Sequence, residues 1–300
     1  MKRISLLLLL FLTATISQAQ LLWKVSGKDL KQPSYIIGTY HLAPATFVDS
    51  IPGLRNAINT TSQVCGEIVM ADMASAENLS KIQSAMLLPD GQTIDKLFTQ
   101  EEMTRINALL KNVMGVDFTN NIVAQQLGRF TPDALVTQLT LLMYMKEHAG
   151  FNPNNAIDSY FQTNASSANK AVMGLETVDF QIETLYKSKT IDRQKVLLLC
   201  MADNLDAYKN LAVNITKAYF SQDLKAVHEA IEFKLNNSCD NTPEEKDALI
   251  YKRNADWVKK MPAIMSEKST LFAVGAGHLS GDKGLLELLK KAGYDVEFVK

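Results

Sequence analysis

The chain has 300 residues, with 31 lysines and arginines against 32 aspartates and glutamates, and 47% of it is apolar. Such balance, without a dense basic patch, argues against a nucleic-acid partner, and the length is enough to bury a sizeable core. Basic Met1-Lys2-Arg3, apolar Ile4 to Ile16 and small-residue Ser17-Gln18-Ala19 read as a signal peptide over residues 1–19, too short to span a bilayer. Its removal takes Lys2 and Arg3 away, leaving 29 basic against 32 acidic residues and a net charge of −3. An exported protein, periplasmic or secreted, is expected. No cysteine follows the cleavage point to suggest a lipid anchor, and no later apolar run is long enough for a membrane span.

In chain order, Tyr35-Ile36-Ile37 reads as a buried strand that stops at Gly38-Thr39-Tyr40-His41. A loop with Pro44 and Pro52, a helical run over 53–59 and a strand from Gln63 to Met70 follow. The middle is mostly helical. Thr99 and Thr131-Pro132 open two helices, Ile157 to Phe161 and a long run from Ile191 to Phe220 continue the pattern, and Ser221 caps a helix carrying Leu224, Val227, Ile231 and Leu235. Lys170 to Thr177 interrupts them as one more short strand. Near the end, Leu271 to Val274 is a strand leading into Gly275-Ala276-Gly277-His278; a helix from Gly284 to Ala292 and a strand from Asp295 to Val299 complete the chain.

Both ends thus carry strand, G-x-x-H and leucine, continued as a β-loop-α-β unit. The fold class is α/β: a central mixed sheet built from the two units, with a large helical insertion, in a single domain over residues 20–300. Open sheets of this kind place ligands at the carboxyl ends of their strands, so His41 and His278 are expected at one edge. The glycines are expected to let each turn bend sharply enough to aim its histidine across that edge.

Glu67, in an apolar strand, is costly as a carboxylate unless it meets a cation or a metal. Two histidines and one carboxylate leave coordination positions open for water and substrate, so His41, His278 and Glu67 form a candidate divalent-metal set. His148, at a helix end, and His228, beside Glu229, are expected to be structural. For three cysteines in an oxidising compartment, Cys200 with Cys239 is the better pair, Cys65 lying in the strand beside Glu67; three unpaired thiols are an alternative. Gly275-Ala276-Gly277 with Glu297 some twenty residues on is a near miss for a dinucleotide fingerprint, which leaves a nucleotide-binding enzyme as a distant reading.

Trp23-Lys24-Val25, Pro33 to His41, Gly174-Leu175-Glu176-Thr177, Arg253-Asn254 and Val274 to Gly281, in that order, resemble the TraB/GumN family. Its relatives include the Tiki proteases and, more distantly, the ChaN and erythromycin-esterase groups. The resemblance implies a metal-dependent hydrolase centred on His41, His278 and Glu67, with Arg253 and Glu176 matching further family positions. In Tiki relatives the activity is proteolytic and supported by manganese or cobalt. Tyr40 and Val69 depart from the family pattern.

Three function classes follow. The first is an exported, peptidase-like hydrolase acting on a peptide or protein through a water activated by manganese, cobalt or zinc. There Glu67 is ligand or general base, Arg253 an oxyanion donor, substrate clamp or structural ion pair, and Glu176 a support for a histidine or part of a turn. The second is a non-catalytic binding protein for a peptide, haem or polysaccharide-assembly partner. The dinucleotide enzyme is the third.

Overall fold

The computed structural model describes residues 21–300, so the leader expected over 1–19 lies outside the described residues. Six strands form one mixed sheet: β1 (Leu22–Ser26), β2 (Ser34–Thr39), β3 (Gln63–Gly66), β4 (Ala171–Gly174), β5 (Thr270–Gly275) and β6 (Asp295–Phe298). Their order is β4-β3-β5-β2-β1-β6. β2, β5, β3 and β4 are mutually parallel, and β1 runs antiparallel to both β2 and β6. Ile36, Ile37, Leu271, Phe272 and Val274 are fully buried in β2 and β5, as unbroken apolar runs require when helices cover both faces of a sheet.

The connections are helical. α1 (Leu54–Thr60) joins β2 to β3. Between β3 and β4 the main helices are α2 (Gln100–Met114), α3 (Pro132–Glu147) and α4 (Ile157–Ser167). Between β4 and β5 they are α5 (Val178–Tyr186), α6 (Ile191–Asp203), α7 (Leu205–Phe220), α8 (Leu224–Ile231) and α9 (Lys252–Glu267); α10 (Leu285–Lys291) joins β5 to β6. The helical insertion is therefore split in two by β4. Sheet, α4 and α9 share one core, with Phe161, Trp257 and Phe272 among its largest members. Away from it, α2, α3 and α6 bury a second cluster around Ile106, Leu110, Leu135, Leu139 and Leu198. Thr99 forms a capping box on α2, and Thr131 accepts from Ala134 N above Pro132 on α3.

Four local readings are revised. The strand expected from Gln63 to Met70 ends at Gly66, because the Gln162 amide takes over as hydrogen-bond partner, donating to Ile68 O at 2.8 Å and accepting from Met70 N at 2.8 Å. The run from Ile191 to Phe220 breaks at Asn204 (φ −127°, ψ 34°), whose side chain donates back to Cys200 O. Ser221 closes α7 instead of opening the next helix, and Asp223 caps α8, which stops at Ile231 before Leu235. Finally, Gly38 and Gly275 do not take left-handed φ. A Cβ on Gly38 would lie 2.9 Å from Leu279 Cδ1 and 3.1 Å from Ala276 Cα, so the residue is small to let the two motif turns touch.

Cys200 pairs with Cys239 across 39 residues, while Cys65 is a buried free thiol pushed up to about 12 by burial. None of the described helices is long and apolar enough to cross a membrane. Because the Gly38 contact is partly to backbone, Gly38→Ala should cost about 1–3 kcal/mol of stability through overpacking. Thermal denaturation measures this, and an unchanged midpoint would contradict the close approach.

Candidate functional site

Each of the four parallel strands delivers one polar residue to the same edge of the sheet. His41 lies two residues past the end of β2, Glu67 directly follows β3, Glu176 lies two past β4, and His278 ends the short turn after β5. Glu67 and Glu176 are drawn together because the ladder between their strands continues past both ends, with Leu175 N donating to Gly66 O at 3.0 Å and Glu176 N to Glu67 O at 2.8 Å. Two neighbouring buried carboxylates need a cation, and α9 brings Arg253 over the edge.

All five N–H groups of Arg253 are engaged. Nε and Nη2 form a fork on Glu176, at 2.8 and 2.9 Å. The second Nη2 hydrogen goes to Glu67 Oε2 at 2.6 Å, and Nη1 donates to Leu249 O at 3.1 Å and His278 Nε2 at 3.2 Å. Glu176, 2% exposed, also accepts from Trp257 Nε1 at 2.8 Å. Glu67 Oε1 accepts from Gly275 N at 2.9 Å, and Gln181 Nε2 lies within reach of both carboxylates. Arg253 therefore has no spare donor for a substrate oxyanion or carboxylate; it holds the two acids and a ring in place.

The tautomer of His278 follows from its neighbour. Asn254 Nδ2 donates to two carbonyls, His278 O at 3.1 Å and Lys283 O at 2.9 Å, which turns its Oδ1 onto His278 Nδ1 at 2.7 Å. Nδ1 must then carry the hydrogen, and Nε2 is the lone-pair nitrogen, 4.0 Å from Glu67 Oε1. The ring packs on Trp257 with centroids 4.4 Å apart. Burial lowers His278 to about 4, so the imidazole is neutral at ordinary pH. Burial alone would raise Glu67, but His278, Arg253, His41 and the Gly275 N–H outweigh it and hold the carboxyl at about 2.

His41 differs in kind, its side chain being 73% exposed. Nδ1 lies 3.1 Å from Asp158 Oδ2 in the first turn of α4, and Thr39 Oγ1 donates to Asp158 Oδ1 at 2.6 Å. The hydrogen bond to Asp158 and that residue's charge raise His41 to about 9. Between rim and floor lies a cavity of about 450 Å³ lined by His41, Asp158, Glu67, Arg253, Gln181 and His278. Tyr40 takes no part in it: its hydroxyl meets Thr216 and its ring packs on Tyr144 and Tyr219.

Glu67, Glu176, Arg253 and His278 are thus assembled into one cluster, with His41 at the rim of the same cavity. Among the described residues no three His, Cys, Asp or Glu side chains are grouped to hold a metal ion. The geometry explains this: His278 Nε2 already accepts from Arg253, Glu67 accepts from Arg253 and Gly275, and His41, its Nδ1 held by Asp158, stands apart at the exposed rim. As arranged, the residues do not fit a metal shared by His41, His278 and Glu67. His148 caps α3 and stacks on Tyr144, and His228 lies against Gly281. Gly275 ends β5, Gly277 lies in the one short turn that follows, and Glu297 pairs with Lys24 in the sheet, so no dinucleotide loop forms.

Sequence reasoning missed Asp158, Gln181 and Trp257, and assigned no role to Asn254. Trp257 carried a signal, falling four residues after Arg253 and four before Met261 on the buried face of α9. Asp158 carried only its place at the start of an apolar helix.

The family profile of the TraB/PrgY/gumN family matches residues 21–298. The chain belongs to this family. Among its curated relatives, metalloprotease TIKI2 of Danio rerio is 23% identical over 317 residues, covering 92% of this chain and 60% of that protein. Metalloprotease TIKI1 of Homo sapiens is 23% identical over 306 residues, covering 88% and 59%, and a metalloprotease TIKI homolog of Nematostella vectensis is 21% identical over 312, covering 89% and 65%. The chain therefore spans about three fifths of the length of these TraB/PrgY/gumN relatives. No solved structure matches it.

Two outcomes test the electrostatics. Arg253→Met should destabilise by about 3–5 kcal/mol, because it strands two buried carboxylates; urea denaturation showing a loss under ~1 kcal/mol would contradict this. Between pH 6.5 and about 4 the unfolded chain takes up a proton at His278 that the folded chain refuses, so stability should fall as pH falls, and Glu67 extends the loss from 4.5 toward about 2. His41, raised to about 9, acts oppositely, favouring the fold below 6.5 and losing that benefit as pH rises; its exposure keeps this share small. A urea midpoint constant between pH 6.5 and 4.5 would count against the buried neutral ring.

Proposed function

We propose that the chain is an exported, peptidase-like hydrolase acting on a peptide or protein in the cavity at the carboxyl ends of β2, β5 and β3. The observation that carries this reading is the convergence of a histidine–carboxylate pair, His41 with Asp158, and a fixed charged floor of Glu67, Arg253, Glu176 and His278 on one cavity. The relatives' name, metalloprotease, supports it. Export is supported by the leader-like residues 1–19 and by the Cys200–Cys239 disulfide, a bond that persists in oxidising compartments.

The roles follow from what each group has left to offer. Asp158 fixes the Nδ1 side of His41, so Nε2 is the atom that gives a proton to the leaving nitrogen and takes one from water. Glu67, ionised and already accepting from Gly275 and Arg253, orients an attacking water through its remaining lone pair; a carboxyl held at about 2 is too weakly basic to deprotonate it. Arg253 and Glu176 set the field of the floor. The relatives' name also implies a divalent metal; since the present arrangement does not fit one, no step is routed through it.

Assay of the mature chain against a quenched-fluorescent peptide library, with manganese, cobalt or zinc and separately with chelator, should show cleavage. His41→Ala and Asp158→Asn should each lower kcat/KM by about 10²–10⁴-fold with the fold intact by circular dichroism. A folded wild type that cleaves no peptide under any of these conditions defeats the proposal and leaves a binding role.

A further inference from the structure

We propose that the Glu67–His278 pair is closed to divalent metal in this chain, because the cation position between the two side chains is filled by the guanidinium of Arg253. An imidazole offers each ring nitrogen one in-plane partner. Nδ1 of His278 spends its hydrogen on Asn254 Oδ1, and the Asn254 amide cannot flip without losing two carbonyl acceptors. Nε2 has one lone pair, and Arg253 Nη1 takes it at 3.2 Å. His278 can ligate only if Arg253 lets go.

Arg253 is poorly placed to let go. The same guanidinium forks onto Glu176, which is 2% exposed, bonds Glu67 Oε2 at 2.6 Å and sits 4.9 Å from the Trp257 ring centroid. Moving it aside would leave Glu176 charged and buried without its cation. It cannot yield by losing a proton, since arginine stays charged in proteins. A metal entering between the two side chains would have to displace that guanidinium and break its bonds to Glu176, Glu67 and Leu249 O.

The experiment needs no substrate, so it succeeds or fails apart from the peptidase reading. Mature protein purified without chelator, then stripped and dialysed, is titrated with Mn²⁺, Co²⁺ and Zn²⁺ by calorimetry, alongside His278→Ala and His41→Ala. We expect His278→Ala to leave any measured affinity within about threefold of wild type. A loss of tenfold or more in His278→Ala would overturn the proposal. Should His278→Ala not fold, nitrogen-15 spectra of histidine-labelled wild type decide: with one equivalent of Zn²⁺, His278 should keep its Nδ1-protonated pattern and unshifted Nε2. A Zn²⁺-induced shift of Nε2 would overturn the proposal equally.

Discussion

One guanidinium holding two carboxylates is the interaction on which the site depends. β3 and β4 are neighbours in the sheet and each ends in a glutamate, so the parallel ladder itself forces Glu67 and Glu176 together. Like charges at that distance, largely out of water, would push the strand ends apart or drive one acid to protonate. Arg253 removes the conflict and in doing so ties α9, from the second insertion, to the carboxyl edge of the sheet. Trp257 and Asn254, on the same helix, then reach Glu176 and His278.

The cavity is divided by degree of commitment. On its floor nearly every polar valence is used, which fixes geometry and charge before any ligand arrives, as electrostatic preorganisation requires. At its rim, His41 is exposed and held by a single carboxylate, free to exchange protons with solvent. Two histidines in equivalent motifs have thus separated into a neutral structural ring and a titrating one.

That separation shows where sequence reading stops. The buried parallel strands, the shared edge and Glu67 were legible, because apolar runs, glycine punctuation and an isolated acid in an apolar context each have local causes, whereas Glu176 and Arg253 were reached only through the family resemblance. What distinguishes His41 from His278 is not local: residues of α9 close over the His278 ring, while the His41 side chain stays exposed, and which helix lies over which strand end is set by tertiary packing. The early end of β3 has the same origin, since the competing hydrogen bonds come from Gln162 on a distant helix. Asp158 was illegible for the opposite reason, its first-turn position being ordinary for any acidic residue in a helix.

α9 does not begin at Lys252 in a mechanical sense, for a π-helical turn over Asp247–Tyr251 leads directly into it, with Lys252 N bonded to Asp247 O. Such a turn holds about one residue more than an α-helical turn and so rotates everything after it by roughly 100° relative to everything before. The segment acts as an indexing joint. It lets Asp247 stay outside beside Lys252 and Lys283 while Arg253, Asn254 and Trp257 point into the sheet edge, and it frees Leu249 O to receive an arginine hydrogen. Seen this way, the azimuth of one helix, set by a single surplus residue, decides whether this edge carries a positive charge at all.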